Sequence, residues 1–321
     1  MQNLKSSYEE KIQNTLRNFF GSRSIDDFCI DIGNNFLIST EQIEPPFSLL
    51  KLISQKRIKV IFDKTILVSG MLEAIIDGFI LKINPEKIKN KQYYNLTLAH
   101  EIAHTYFFNT NARFPNDVSG LLTTSPELEY MCNKIARFLI IPPISLKSIL
   151  ESGPIIGSDL FSFKIVIKLC EIYQTTQYVI LKRCIHDELH WNALFVKFKF
   201  FKNDKTWKLD SIIYPQYLAS TTNKSSFFVP KGVSKDKIPS AKGRLADFLN
   251  KTYVQLKSEP ILNKTICLKE VIDAPLHSIF NKEKLNFTHL VYLSLDVNTD
   301  SISLLIPLNE SIYGFKNLNR D

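Results

Sequence analysis

The sequence predicts an α+β protein built in two parts, and three observations carry that expectation. Apolar positions recur at helical spacing through much of residues 1–185. Two short runs there alternate apolar and polar residues as half-buried strands do. Beyond His186 the texture turns to paired strands, so the boundary is drawn near residue 187, giving parts 1–187 and 188–321. At 321 residues, with 45% apolar and 22% charged residues, the chain can fill one large core or two smaller ones. That composition excludes a disordered, collagenous or low-complexity chain.

Taken in order, residues 8–20 space their apolar positions for an amphipathic helix, and a short helical stretch follows Pro45–Pro46. In Ile58–Phe62 and Gly78–Asn84 the residues Val60 and Phe62, and then Phe79, Leu81 and Ile83, alternate in the manner of half-buried strands. Pro85 ends the second strand, because proline cannot continue a ladder. From Tyr93 the period becomes helical, with Leu96, Ala99, Ile102, Ala103 and Phe107 on one face. After a loop through Asn109–Asp117, Ser125 and Pro126 form a helix start, and that helix should stop before Pro142–Pro143. Further helices are expected over Ser162–Tyr173 and Thr176–Ile185. Leu194–Phe200 and Trp207–Tyr214 flank Asn203–Asp204 as a hairpin, residues 215–240 read as a polar loop, and Ala241–Leu256 reads as a helix. Leu290–Asp296 and Ser301–Leu308 flank a second turn.

The charge is mildly basic, with 40 Lys and Arg against 32 Asp and Glu for a formal +8. Within the second part, Lys224–Arg244 alone holds six cations against Asp236 and reads as a solvated loop. The five cysteines are odd in number and include no CxxC pair, so they read as reduced, packed thiols. No apolar run approaches the ~18 residues needed to cross a bilayer, and MQNLKSSYEEK is not followed by a signal-peptide core. A cytoplasmic protein with no membrane partner is expected.

The strongest chemical signal is His100-Glu101-Ile102-Ala103-His104, an H-E-x-x-H on a predicted helix. Four residues advance a helix by little more than one turn, so both imidazoles leave the same face and can meet one Zn²⁺. Glu101 stands beside the first of them, where a carboxylate can take a proton from an attacking water and return it to a departing amine. Two His and one Glu on an apolar-flanked helix are awkward as mere core residues, since each needs a buried partner. A catalytic metal site needs a third protein ligand, and Asp117, Glu127 and Glu129 are the candidates. Glu129 is favoured: it lies on the next helix, one turn before Asn133, which could steady a ligand imidazole. Glu127 sits in the first turn, where the helix dipole alone accounts for an acid.

Residues Leu96-Thr97-Leu98-Ala99-His100-Glu101-Ile102-Ala103-His104 resemble the "FTLAHELGH" helix of the ImmA/IrrE metallopeptidases. Residues 129–142, EYMCNKIARFLIIP, are similar to that family's "ExxANxFAxxLLMP" helix. The resemblance spans roughly residues 30–185. Ala103 stands where Gly is common and Met131 where a second acid often sits, and neither change alters a ligand position. The resemblance implies a zincin-like metallopeptidase domain over 1–187: a small sheet, an active-site helix and following helices. His100, His104 and Glu129 would be the metal ligands and Glu101 the catalytic base. It also implies Zn²⁺ as cofactor, with Mn²⁺ or another divalent transition metal acceptable to the same donors. The implied substrate is a protein regulator, a helix-turn-helix repressor of phage or stress control. Residues 188–321 would form a separate α+β domain that recognises substrate or receives a signal.

Two rival functions are weighed against this one. The helix pair could be a non-catalytic scaffold that keeps its metal and grips a regulator, but such a scaffold has no use for Glu101. Direct binding to nucleic acid ranks last, because residues 1–30 hold no helix-turn-helix of adequate length. Among lesser features, His186-Asp187-Glu188-Leu189-His190 repeats the His spacing at a helix-to-strand junction and reads as exposed polar groups. A reach of His186 or His190 into the cleft would let either steady a tetrahedral intermediate. Tyr106 and Tyr130 could donate to the same oxyanion, but each reads first as packing. Phe195, Phe198, Phe200 and Phe201 alternate with Lys as in a half-buried strand and not as a base-stacking platform.

Overall fold

The computed structural model describes residues 24–75, 77–107, 126–152, 162–187, 191–213, 244–258, 266–273, 288–296 and 300–307. The helix expected over 8–20, the loop Asn109–Asp117, the cap at Ser125 and the polar stretch 215–240 lie outside these residues, as does most of the basic strip. The protein is mixed α+β, with helices around one small sheet and a second, larger sheet. It forms two compact units: Met1–Leu160 with Ile167–Arg183, and Phe161–Val166 with Cys184–Asp321. The division at Arg183 falls slightly before the boundary expected near 187. Among the described residues no helix is long and apolar enough to cross a membrane.

In the first unit, α1 (Ile25–Thr40) starts at a reciprocal cap, with Ser24 Oγ accepting from the Asp27 N–H and Asp27 Oδ2 accepting from the Ser24 N–H. After the short α2 (Leu50–Gln55) come β1 (Ile58–Phe62), β2 (Gly70–Ile75) and β3 (Gly78–Ile83). The sheet order is β1-β3-β2, with β1 parallel and β2 antiparallel to the central strand. Phe79, Leu81 and Ile83 are buried on one face of β3, as their alternation requires. The edge strand β2 was missed by the sequence reading, because Met71 and Leu72 are adjacent and break the alternation.

α3 (Lys91–His104) begins at Asn90, whose side chain accepts from the Tyr93 N–H at 2.8 Å. Its Ala99 and Ala103 are fully buried, so their small side chains let neighbouring elements come close. α4 (Pro126–Ile140) packs against α3 and α1. Its far end is fixed by Arg183, fully buried, which donates to the Ile141 carbonyl through Nε at 3.1 Å and Nη2 at 3.0 Å. The guanidinium also lies 3.7 Å from the Phe138 ring centroid. The helices α5 (Pro143–Ser152), α6 (Phe163–Tyr173) and α7 (Gln177–Leu181) follow, and α7 continues as a π-helical turn over Lys182–Asp187.

Lys134 of α4 is fully buried and ion-paired with Asp26 of α1. Removing one partner of a buried pair strands a charge and typically costs about 3–5 kcal/mol. Asp26 keeps partial solvent, so Asp26→Ala is expected to destabilise by somewhat less, about 2–3 kcal/mol, measured by urea unfolding.

In the second unit, β4 (Ala193–Phe201), β5 (Thr206–Ile213), β6 (Ile266–Asp273), β7 (Thr288–Asp296) and β8 (Ser301–Pro307) make an antiparallel sheet ordered β5-β4-β8-β7-β6. Phe195 and Phe198 are core residues, and Phe200 stacks on Tyr253 and meets Trp207 at a tilt, the three rings in mutual contact. α8 (Arg244–Ser258) contributes Asn250, which accepts from Trp207 Nε1 at 2.9 Å, and Tyr253, which donates to Asp300.

Candidate metal centre

His100 and His104 lie one turn apart at the C-terminal end of α3, their ring centroids 5.0 Å apart and their planes at 78°. Glu129, in the first part of α4, faces both. Its Oε2 is 3.2 Å from His100 Nε2, its Oε1 is 3.5 Å from His104 Nε2, and the two Nε2 atoms are 3.2 Å apart. Among the described residues these three form a group whose donor atoms all lie within 4.8 Å of one another. Of the three acids weighed for the third ligand, Glu129 is the one brought to the imidazoles. Asp117 and the Glu127 side chain lie outside the described residues.

The donor set fits a tetrahedral divalent ion. Ligands about 2.0–2.1 Å from such a centre stand about 3.3 Å from each other, which is the spacing of these three groups. Two imidazoles and a carboxylate are borderline donors that take Zn²⁺, Mn²⁺, Fe²⁺ or Co²⁺.

The electrostatics fit as well. Burial pushes the His104 imidazole down to about 4, with the charge of His100 adding to the effect and Glu129 opposing it, so its nitrogen is neutral and free to ligate at neutral pH. Burial also acts to lower His100, but the hydrogen bond to Glu129, the charges of Glu101 and Glu129 and a hydrogen bond with Asn133 raise it on balance. Asn133 also donates to the Glu129 carbonyl at 2.6 Å. It therefore braces one ligand's ring and the backbone of another, as its place one turn after Glu129 suggested. Asn133→Ala is expected to weaken metal affinity about 10–100-fold while leaving all three donors in place, which isothermal titration with Zn²⁺ would measure.

Glu101 is 7% exposed and is not among the three converging donors. Burial raises its carboxyl to about 7, with Glu129 adding to the rise, while His100 and a hydrogen bond from the Leu72 backbone N–H pull it down. Cys132, near these acids, is held well above its usual value by burial and then by Glu129, Glu101 and Cys29, so it stays a thiol.

Tyr106 lies beneath the Lys56 ammonium, 3.8 Å from ring centroid to Nζ, and burial pushes its phenol up to about 12. Tyr130 is half-buried on α4, and His186 is half-buried in the second unit's π-helical turn. His190 lies outside the described residues. What the sequence reading missed is the Leu72 N–H, a backbone donor on the strand that went unpredicted.

No protein-family model and no curated protein matches this chain. Among solved structures, a Mycobacterium tuberculosis transcriptional regulator is similar over 98% of this chain and 98% of its own, at 10% identity and a TM-score of 0.45. At that identity and score it does not bear on what the site does.

Proposed function

We propose that this protein is a metal-dependent endopeptidase with a zincin-like first domain, and that it cuts a protein regulator. The observation that carries the reading is the convergence of His100, His104 and Glu129 with a separate buried acid, Glu101, beside them. The resemblance of residues 96–104 and 129–142 to the ImmA/IrrE metallopeptidases supports it and points to a helix-turn-helix repressor as substrate.

When bound, a divalent transition metal supplies Lewis-acid polarisation of a carbonyl oxygen and acidifies water. The remaining work belongs to the chain. His100, His104 and Glu129 hold the ion, and Asn133 keeps the His100 ring and Glu129 in register. Glu101 accepts the proton of the attacking water and hands it to the departing amine. A carboxyl near pH 7 suits both directions of that transfer. The Leu72 N–H favours the charged form of that carboxyl. A scaffold that only gripped a regulator would gain nothing from burying an acid there, and the burial would cost it stability.

The experiment is elemental analysis of the purified full-length chain together with incubation against a helix-turn-helix repressor encoded beside it, with and without EDTA. About one divalent transition metal per chain and EDTA-sensitive fragments with new N-termini are expected. An intact repressor alongside a metal-free chain would sink the reading.

A further inference from the structure

The strand β2 is docked on a stripe of α3. Tyr93, Thr97 and Glu101 are spaced four apart and share one helix face. Each meets the start of β2: Tyr93 OH lies 3.0 Å from Ser69 Oγ, Thr97 lies against Gly70, and Glu101 accepts from the Leu72 N–H. The contact at Gly70 is unusually close. A Cβ built there would stand 2.8 Å from Thr97 Cγ2, 2.9 Å from Glu101 Cγ and 3.0 Å from Glu101 Oε1. Gly70 is not needed for its backbone conformation, because the one glycine with positive φ among the described residues is Gly78, at 154°. Gly70 opens β2 and brings no side chain to pack, so the close approach of α3 is what accounts for it here.

We infer that Gly70 is a positioning residue: the space its missing side chain leaves is where the Glu101 carboxylate lies, within reach of the Leu72 N–H. The inference rests on the proposed role of Glu101 as proton acceptor. None of the crowding atoms is backbone. Thr97 is β-branched and held by its helix, so the group that gives way to an added methyl is the longer, freer Glu101 side chain. A substitution at Gly70 therefore moves the carboxylate more than it disturbs the sheet. No residue of α3 needs to change for the base to be lost.

The test uses the metal-free full-length chain labelled with ¹⁵N-leucine, with the Leu72 resonance identified by its loss in Leu72→Met. Amide exchange at Leu72 is compared with Leu81 on the central strand. Wild type and Glu101→Gln are expected to exchange slowly at Leu72, since a carboxamide oxygen also accepts that bond. Glu101→Ala and Gly70→Ala are expected to exchange about tenfold faster there with Leu81 unchanged. Adding Thr97→Ser to Gly70→Ala removes the Cγ2 methyl and is expected to restore part of the protection. Wild-type exchange at Leu72 in Gly70→Ala, or equal acceleration at Leu81, would overturn the inference. If Gly70→Ala does not fold, folding regained in Gly70→Ala/Glu101→Ala supports it and an unfolded double variant overturns it. Neither readout involves cleavage, so a Glu101→Gln variant that still cuts its substrate would remove the proposed role of Glu101 as base without moving the Leu72 amide.

Discussion

Glu101→Gln is expected to keep its full complement of metal and to lose about 10²–10⁴-fold in turnover, the usual contribution of a positioned acid–base group. The carboxamide has the shape of the carboxylate and still accepts from Leu72, so the three donors and β2 are undisturbed. It cannot take a proton. A second consequence follows with opposite sign. The buried carboxyl of Glu101 holds its proton up to about pH 7 in the folded chain, whereas the unfolded chain releases it near 4.5. In the metal-free protein its contribution to stability therefore declines as pH rises from 4.5 through 7 and stays low above that. Gln has no such penalty. Metal-free Glu101→Gln should be more stable than wild type at pH 8, on the order of 2 kcal/mol, with the difference vanishing near pH 4.5. Urea unfolding at the two pH values reads the stability, and a repressor-cleavage assay reads the turnover. A variant that is inactive because it has unfolded or lost metal would show the reverse pattern, and one as active as wild type would end the case for Glu101 as base.

Much of this site is written in local spacing. The i,i+4 histidines and the turn separating Glu129 from Asn133 need only a helix period to be read, and both helices stand where that period put them, at Lys91–His104 and Pro126–Ile140. Elements that depend on contacts distant in sequence were harder to see. α1 carries a Ser24–Asp27 cap in place of the more familiar Ser-x-x-Glu, and its docking rests partly on Lys134, more than a hundred residues away. A lysine in the middle of an apolar helix face reads as solvent-facing until its acid is placed beside it. α5 follows directly on Pro142–Pro143, which looked only like a stop although Pro143 serves as a first helical residue. β2 and β6 lack clean alternation. Gly70 carries no signal in the sequence either, since nothing there announces that a carboxylate from residue 101 lies against the place of its Cβ.

Adding Zn²⁺ to EDTA-stripped protein should raise the melting temperature of the first unit, and Glu129→Ala should remove most of that rise. The three donors come from two helices, so an ion that binds them stabilises only the state in which α3 and α4 are packed. At a free metal concentration about 1,000 times Kd the linkage is worth about 4 kcal/mol. For a unit of this size that corresponds to roughly 8–16 °C. Deleting the Glu129 carboxylate leaves two imidazoles on a single helix, which no longer couple the ion to the α3–α4 contact. Affinity should fall by more than the roughly 10–100-fold expected for Asn133, which only braces the ligands. The pH dependence separates the two histidines. His104, held near 4, offers its nitrogen throughout the neutral range, whereas His100 is raised above 6.5 and must give up a proton before it can ligate. Zinc affinity should therefore climb with pH across the range where His100 loses its proton, with proton release on binding detected by calorimetry in buffers of different ionisation enthalpy. A thermal shift that survives Glu129→Ala unchanged would mean the ion sits somewhere other than between these helices.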